Sequence, residues 1–321
     1  MLRVLITGAA GFIGMHTAIR FLEEGWNVVG LDNLNDYYSV DLKKARLTEI
    51  RKVEETGKSS FEFHERDLNS DVWLELKNLK FNVIIHLAAQ AGVRYSIENP
   101  MAYLNSNILG FQRVLDFVKD SKCTKFLYAS SSSVYGKNAK QPFIELDHCN
   151  APESYYAATK KANELMAYSY FRTNNISSMG MRFFTVYGPW GRPDMAPILF
   201  ANAAKNGETI SVFNYGNQER DFTFITDIVE AIYLLSQQKF NGAQIVNVGN
   251  GSPVKLMRFI EELERNFKTT ISKDFIAAQN GDVVTTFADT TKLHDLTGFK
   301  PRISIRQGIK EFVEWYKKYN Y

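Results

Sequence analysis

Three glycines near the amino terminus constrain the fold of this chain more than any other feature. Gly8, Gly11 and Gly14 stand in the pattern G-x-x-G-x-x-G. They follow the apolar run 2–6 and precede an apolar pattern of helical period over 12–22. Glycines at this spacing let a chain turn sharply out of a strand, let a diphosphate lie against bare main chain, and let the next helix pack close to the sheet. Turns and helix caps also use glycine, so the triplet alone leaves both interpretations open.

A second predicted strand adds weight to the phosphate-binding interpretation. Residues 27–31 are apolar, and Asp32 follows them directly. In the dinucleotide fingerprint an acidic residue stands about twenty residues beyond the glycines. A carboxylate there accepts hydrogen bonds from both ribose hydroxyls and repels a 2′-phosphate. The segment therefore predicts a site for NAD rather than NADP, with the helix N-terminus facing the phosphates.

Apolar runs and helical patterns alternate along the first part of the chain. The apolar runs lie at 2–6, 27–31, 61–64, 82–87 and 125–130, and the helical patterns at 12–24, 40–55, 69–79, 99–120 and 155–174. Such alternation predicts βαβ units and a parallel sheet with helices on both faces. We therefore expect an α/β fold with a doubly wound, Rossmann-type parallel sheet.

Bulk properties narrow the classes of partner. The net charge is +3, and the basic residues are spread among acidic ones, so we expect neither a nucleic-acid nor a membrane partner. Cys123 and Cys149 show no ligand spacing, which predicts no metal site and a reducing compartment. We see no signal peptide and no apolar stretch long enough to span a bilayer. The expected location is cytoplasmic.

Ligands of doubly wound sheets lie beyond the carboxyl ends of the strands, so the candidates follow the apolar runs. Asp67 follows the third run, either as an acceptor for an adenine amino group or as a helix N-terminal carboxylate. The small residues of 87–92 follow the fourth run and would let a pyrophosphate and ribose lie against the main chain, although alanine-rich packing is the alternative. Arg94 comes next and could face an anionic substrate or simply be a surface arginine.

Candidate catalytic residues follow the fifth run. Four serines occupy 130–133, and the apolar residues on both sides of them are not typical of a serine linker. Further along, Tyr156 and Lys160 have Tyr-x-x-x-Lys spacing and share one face of a predicted helix. An ammonium beside a phenol favours the phenolate and lowers the pKa of the tyrosine toward working pH. Together with the glycine turn and Asp32, this combination predicts chemistry on a nicotinamide cofactor.

These motifs resemble the extended short-chain dehydrogenase/reductase family, specifically its NAD-dependent nucleotide-sugar epimerases and dehydratases, along nearly the whole chain. The resemblance implies that Ser131, Tyr156 and Lys160 are catalytic. Sugar 4,6-dehydratases carry an Asp-Glu pair before Val-Tyr-Gly, and UDP-xylose synthases, which decarboxylate, usually carry a glutamate there. This chain has Ser132 and Ser133 instead, which favours an epimerase. The implied cofactor-binding residues are Gly8, Gly11, Phe12, Ile13, Gly14, Asp32, Asn33, Asp67, Leu68, Leu87, Ala88, Ala89, Tyr156 and Lys160.

Two stretches are most similar to the UDP-glucuronate 4-epimerases. They are 32–38, with 42–47 following, and 182–195; residues 91–96 fit the same group. The resemblance implies interconversion of UDP-glucuronate and UDP-galacturonate through a transient 4-keto sugar. The alternatives on this scaffold are a UDP-glucose or UDP-N-acetylhexosamine 4-epimerase and a UDP-glucuronate decarboxylase. A catalytically silent NAD-binding protein is a rival of another class, and the intact catalytic residues argue against it.

The resemblance also implies how the substrate is held. Segments 220–222 and 279–283 match those that grip the UDP, and the serine hydroxyls with Thr185 would hold the sugar carboxylate. Guanidinium groups bind phosphate with paired donors, so Arg192 and Arg220 are expected at the diphosphate, with surface salt bridges as the alternative. The implied substrate-binding residues are Arg94, Ser132, Ser133, Thr185, Arg192, Arg220 and Asp282.

The pattern of the chain changes after about residue 182, and a run at 244–248 returns as a further strand. We therefore expect an NAD-binding domain of residues 1–181 plus 223–249. A smaller α/β UDP-sugar-binding domain would comprise 182–222 plus 250–321. The family resemblance also suggests a homodimer that pairs through the helices 99–120 and 155–174.

Overall fold

The computed structural model describes residues 2–137, 140–278 and 283–319. Within these ranges, seven strands form one sheet in which all neighbours are parallel, in the order β11-β6-β5-β4-β1-β2-β3. The same ranges contain three further sheets of two strands each. The strands are β1 Arg3–Thr7, β2 Asn27–Asp32, β3 Phe61–Glu65, β4 Val83–His86, β5 Phe126–Ser131, β6 Ser178–Phe183, β7 Thr185–Tyr187, β8 Thr209–Val212, β9 Glu219–Arg220, β10 Phe222–Phe224, β11 Ala243–Val248, β12 Val254–Lys255 and β13 Ser272–Phe275.

The direction of winding reverses at the central strand β1. It pairs with β2 on one side, Thr7 opposite Leu31, and with β4 on the other, Thr7 opposite His86. A crevice opens beyond the carboxyl ends of the strands at such a reversal, and ligands bind there. The doubly wound Rossmann-type sheet predicted from the alternation is therefore confirmed.

Helices cover both faces of the sheet. They are α1 Phe12–Glu23, α2 Val40–Thr56, α3 Val72–Leu76, α4 Tyr95–Glu98, α5 Pro100–Tyr103, α6 Gly110–Ser121, α7 Tyr155–Asn174, α8 Ala196–Asn206, α9 Ile225–Gln237, α10 Leu256–Phe267, α11 Thr291–Thr297 and α12 Ile305–Tyr319. The helices predicted over 12–24, 40–55 and 155–174 match α1, α2 and α7 closely, and those predicted over 69–79 and 99–120 are the two exceptions. A short 3₁₀ turn lies at Ser132–Tyr135, and the turn at Phe213–Gly216 contains two left-handed residues, Asn214 and Tyr215.

The two exceptions have local causes. The helix predicted over 69–79 is only α3, because the Asp67 side chain and main chain accept the N–H groups of the residues just before it. The helix predicted over 99–120 is divided into α5, a π-helical segment Leu104–Leu109 and α6. The π-helical turn contains a wider hydrogen-bonded ring, so the side chains on either side of it point in directions that a regular helix would not give.

The predicted strand at 244–248 is confirmed as β11, which lies beside β6 in the main sheet. A continuous hydrophobic core connects this sheet with the helices α8, α10 and α12 of the later part of the chain. Phe222 stacks on Phe259 at 4.4 Å between ring centroids, and Trp190 packs on Trp315 at 5.5 Å. The division into two functional domains stays a prediction.

A buried ion pair locks α7 to the middle of the sheet. Arg182 of β6 donates to Glu164 of α7 from Nε at 2.8 Å and from Nη2 at 2.9 Å, and Ser130 donates to the same carboxylate at 2.7 Å. Burial acts to raise the pKa of Glu164, but the hydrogen bonds and charge of Arg182 hold it below its ordinary value. The pair therefore fixes the helix that carries Tyr156 against the carboxyl end of β5.

Candidate active site

A cleft of about 1090 Å³ opens at the reversal point of the sheet. Its walls come from the ends of β1, β2 and β4, from the start of α1 and from the loop before α8. Every cofactor-binding residue predicted from the sequence lines it, except Tyr156 and Lys160. These lining residues are Gly8, Gly11, Phe12, Ile13, Gly14, Asp32, Asn33, Asp67, Leu68, Leu87, Ala88 and Ala89.

The glycine turn has no room for larger side chains. Gly8 has φ +75°, and its N–H donates to Leu31 O at 2.7 Å. A Cβ on Gly8 would lie 2.6 Å from Ala88 N, and one on Gly11 would lie 2.9 Å from Gly8 O. The turn is therefore a bare main-chain cradle in front of the α1 N-terminus, which is what a dinucleotide pyrophosphate requires.

Asp32 is held as a carboxylate acceptor at the end of β2. Its Oδ2 accepts from Ala10 N at 3.1 Å and its Oδ1 from Leu34 N at 2.9 Å. Burial raises the pKa of Asp32, while these hydrogen bonds and the positive charge of Lys43 oppose the rise. Sequence reasoning missed Lys43 as a cleft residue. Its ammonium donates to Asn35 Oδ1 at 2.9 Å, and it lines the cleft.

Asp67 serves the local turn and the cleft at once. Its Oδ1 accepts from Asn69 N at 2.8 Å, as expected for a carboxylate at a helix N-terminus. Its Oδ2 accepts from Asn33 Nδ2 at 2.7 Å, so the two predicted cofactor residues meet at the wall of the cleft. The neighbouring Leu68 completes this wall.

The three predicted catalytic residues come together where β5 ends and α7 begins. Ser131 is the last residue of β5 and hydrogen-bonds the phenol of Tyr156 in the first turn of α7. Lys160 is one turn further along α7, is 2% exposed, and donates to Ala129 O at 2.8 Å. Since Ala129 also lines the cleft, the group lies at the inner end of the cofactor site.

Electrostatics at this group differ from the sequence expectation. Burial raises the pKa of Tyr156, and the hydrogen bond with Ser131 is the main effect that opposes it. Lys160 is not among the main causes of the shift in the pKa of Tyr156, and its amine donates to Ala129 O. Burial also lowers the pKa of Lys160 itself to about 8. The free site therefore holds a neutral phenol beside an ammonium of reduced basicity.

The predicted carboxylate ligands form a hydroxyl-rich turn. Ser132 and Ser133 belong to the 3₁₀ turn that follows β5, and Ser133 reaches Ser131 Oγ with its N–H at 3.2 Å and its hydroxyl at 2.9 Å. Thr185 begins β7, and its N–H donates to Asp221 O at 3.1 Å. The serine turn offers hydroxyl groups and no carboxyl group to a ligand.

Arg192 forms a salt bridge and also lines the cleft. Its guanidinium pairs with Asp194 and donates to Ala91 O at 3.0 Å, and it lies 5.7 Å above the Tyr37 ring. Arg192, Ala91 and Tyr37 line the cleft and Asp194 does not, so the arginine stands at the mouth of the predicted cofactor site. Its assignment to the UDP diphosphate stays a prediction.

The remaining predicted substrate residues lie on other elements. Arg220 on β9 donates to Val284 O at 3.0 Å. Arg94 is exposed before α4, and its guanidinium lies 4.7 Å from the centre of the Phe213 ring. Asp282 lies outside the described residues.

An amide network that sequence reasoning missed joins the cleft to α7. The Asn107 side chain accepts from Gln90 N at 2.8 Å and donates to Gln90 O at 2.9 Å and to Thr159 Oγ1 at 3.0 Å. Asn107 lies in the π-helical segment, and Gln90 lines the cleft. The sequence carries no period that marks a π-helical turn, so this link had no readable signal.

No helix within residues 2–137, 140–278 and 283–319 is long and apolar enough to cross a membrane. The same residues contain no group of three or more His, Cys, Asp or Glu side chains placed to hold a metal ion.

The chain belongs to the NAD dependent epimerase/dehydratase family, whose pattern matches residues 4–249. The bare glycine cradle and the oriented carboxylate of Asp32 fit the NAD on which this family depends. Protein CapI of Staphylococcus aureus is 44% identical, with 99% of each chain covered. A probable UDP-glucuronate 4-epimerase of Rhizobium meliloti is 43% identical over 98% of this chain and 97% of that protein.

A solved structure has the same fold throughout. It is the crystal structure of UDP-glucuronic acid 4-epimerase from Bacillus cereus in complex with UDP-glucuronic acid and NAD. It is 30% identical, covers 99% of this chain and 100% of its own, and gives a TM-score of 0.91.

The lowered pKa of Lys160 predicts a pH dependence of stability. Below about pH 8 the amine is charged in both the folded and the unfolded chain. Between about 8 and 10.5 only the unfolded chain keeps the proton, so unfolding becomes costlier as pH rises. In protein stripped of dinucleotide, the free energy of unfolding should rise over this range by up to about 3 kcal/mol through this group.

Denaturant titrations of wild type and Lys160→Met across this range would measure the effect. The substituted protein should lack the rise, and Lys161→Met, at the more exposed neighbouring position, should keep it. Parallel curves for wild type and Lys160→Met would contradict the assignment.

Proposed function

We propose that this protein is an NAD-dependent 4-epimerase that interconverts UDP-glucuronate and UDP-galacturonate. The observation that carries the proposal is the position of Ser131, Tyr156 and Lys160 between the dinucleotide cleft and a serine turn free of carboxyl groups. The names of the Rhizobium relative and of the Bacillus structure support the sugar.

In the proposed mechanism, the phenol oxygen of Tyr156 takes the proton of the sugar C4 hydroxyl and later returns it. Ser131 orients that hydroxyl through a hydrogen bond. Bound NAD would supply the acceptor and donor of the C4 hydride, and in the loaded site its positive ring would act with Lys160 to favour the phenolate over the neutral phenol of the free site. The 4-keto sugar turns about its link to the diphosphate and presents its other face, so no net oxidation results.

The carboxylate of this substrate creates a hazard that the serine turn would control. The 4-keto intermediate is a β-keto acid, which loses CO₂ when its carboxylate stands perpendicular to the carbonyl plane. We propose that Ser132, Ser133 and Thr185 hold the carboxylate away from that orientation. Neutral hydroxyl groups can follow it through the rotation, and no carboxyl side chain of the turn repels it.

The other predicted ligands complete the assignment. Residues 1–181 with 223–249 would bind NAD, and 182–222 with 250–321 would bind the UDP-sugar. Arg94, Arg192 and Arg220 would supply positive charge to the anionic substrate.

The reaction is tested with UDP-glucuronate deuterated at C4 and no added nicotinamide. The expected product is UDP-galacturonate that keeps the deuterium, because the hydride never leaves the enzyme. Tyr156→Phe should lose about 10²- to 10⁴-fold in rate while it retains NAD. In a parallel assay with added NAD, consumption of that NAD in step with turnover would show an ordinary dehydrogenase instead. A UDP-pentose product would show a decarboxylase, and faster turnover of UDP-glucose or a UDP-N-acetylhexosamine would shift the substrate assignment.

A separate variant tests the carboxylate ligands. Thr185→Val keeps the shape of the side chain and removes its hydroxyl, so the intermediate should lose CO₂ more often. The ratio of UDP-pentose to UDP-galacturonate, measured by separation of the products, should rise about tenfold, the size expected when a hydrogen bond worth about 1.4 kcal/mol is lost. An unchanged ratio would remove Thr185 from this role.

We further propose that two chains pair through the exposed apolar surface of α5, the π-helical segment and α7, within the predicted regions 99–120 and 155–174. The fully solvated surface of a monomer seldom carries so many large apolar side chains together, and such patches typically mark protein–protein contacts. The exposed large apolar residues there are Met101, Leu104, Leu109, Tyr155, Leu165 and Tyr168, with exposed fractions of 58%, 37%, 45%, 40%, 60% and 54%.

Light scattering during size-exclusion chromatography tests the pairing. Wild type should have twice the chain mass of 36.7 kDa. Leu165→Arg should shift the mass to that of one chain, because a charge cannot be buried in an apolar contact without cost. Leu74→Arg, at an equally exposed leucine on α3, should leave the mass unchanged. A wild-type protein of single-chain mass would contradict the proposal.

A further inference from the structure

Arg46 is a buried cation that lies outside the catalytic group and outside the cleft lining. Arg46 belongs to α2, within the stretch 42–47 that the sequence analysis singled out, and its residue exposure is 0%. A charge removed from water needs all its hydrogen bonds filled. Arg46 meets this requirement with neutral oxygens that come from three separate parts of the chain.

The contacts of Arg46 join the cofactor turn to the loop before α8. Nη1 donates to Ala10 O at 3.1 Å and to Tyr38 Oη at 2.7 Å. Nε and Nη2 both donate to Trp190 O, at 3.1 and 2.7 Å, and Nη2 also donates to Gly191 O at 3.1 Å. A guanidinium has five N–H groups in one plane, and here each has a partner.

The loop held in this way is conformationally constrained. Trp190 has φ +64°, a left-handed conformation that a tryptophan adopts only when its surroundings impose it. A second contact from the first part of the chain acts beside it, because His16 Nε2 lies 3.0 Å from Pro189 O. Residues 189–191 are therefore docked on α1 and α2 through their carbonyl oxygens.

The next residue along the loop reaches the lining of the cleft. Arg192 donates to Ala91 O at 3.0 Å, and both residues line the cleft. The loop thus connects its anchor on Arg46 to the lining of the site.

We propose that Arg46 is a positioning residue for the epimerisation: by holding residues 189–191 against the cofactor turn, it keeps the cleft closed on the 4-keto intermediate until the hydride returns. The inference rests on the proposed function. It differs from a simple stabilising role because it predicts a specific failure, in which the intermediate escapes and leaves the nicotinamide reduced. Misplacement by about 1 Å at a distance from the reacting atoms can cost about a hundredfold in rate.

The test compares Arg46→Met and Arg46→Lys with the control Arg51→Met, an exposed arginine on the same helix that pairs with Glu54. Arg46→Lys keeps the charge but cannot bridge all four oxygens. It is the milder change, and it therefore tests the inference if Arg46→Met does not fold. For each holoenzyme we would measure the fraction folded, the bound NAD, kcat and KM for UDP-glucuronate, and the near-ultraviolet absorbance of reduced nicotinamide during turnover.

The Arg46 variants should lose about a hundredfold in kcat, with a smaller change in KM, because Arg46 does not line the cleft. Reduced nicotinamide should accumulate in them and not in wild type or Arg51→Met. The inference is overturned if the variants turn over like Arg51→Met. It is also overturned if their loss merely follows the unfolded fraction without reduced nicotinamide. Failure of wild type to make UDP-galacturonate would instead contradict the proposed function.

Discussion

The close approach of two main-chain segments organises this molecule. The turn after β1 passes so near the end of β4 that a methyl group on Gly8 would meet Ala88 N at 2.6 Å. That contact joins the two strands on which the sheet reverses its winding, and it leaves the main chain bare at the mouth of the crevice. The start of α1 can then face a phosphate, and the oriented Asp32 can face a ribose. A larger residue in place of Gly8 would disrupt the base of the cleft.

The parts of the site that the sequence predicted are those decided by local geometry. Gly8 must be glycine because of its own φ and its nearest neighbour, and Asp32 follows from the end of a strand. Tyr156 and Lys160 share a helix face because four residues make about one turn. Each of these relations is complete within one element or its junction. The doubly wound sheet, the NAD cleft and the catalytic group could therefore be predicted from the sequence.

What the sequence could not predict depends on contacts between distant elements. The π-helical segment aims Asn107 at the cleft wall through a register that no hydrophobic period reveals. Arg46 sits on a helix that reads as an ordinary surface helix, and three of its four partners are main-chain carbonyl oxygens, which carry no residue identity. The pKa of Tyr156 differs from the prediction because it depends first on burial, which the spacing along a helix does not show.

The serine turn has a consequence for how such a catalyst behaves in a cell. Its hydroxyl groups can neither donate a strongly acidic proton to a leaving group nor remove one from carbon, so the turn does not promote the elimination of water from the sugar. A reaction in which the hydride returns to the sugar also consumes no external oxidant or reductant. The ratio of the two sugars at rest is then set by their relative stabilities in water alone. Net flow in either direction has to come from whichever later enzyme removes one of them.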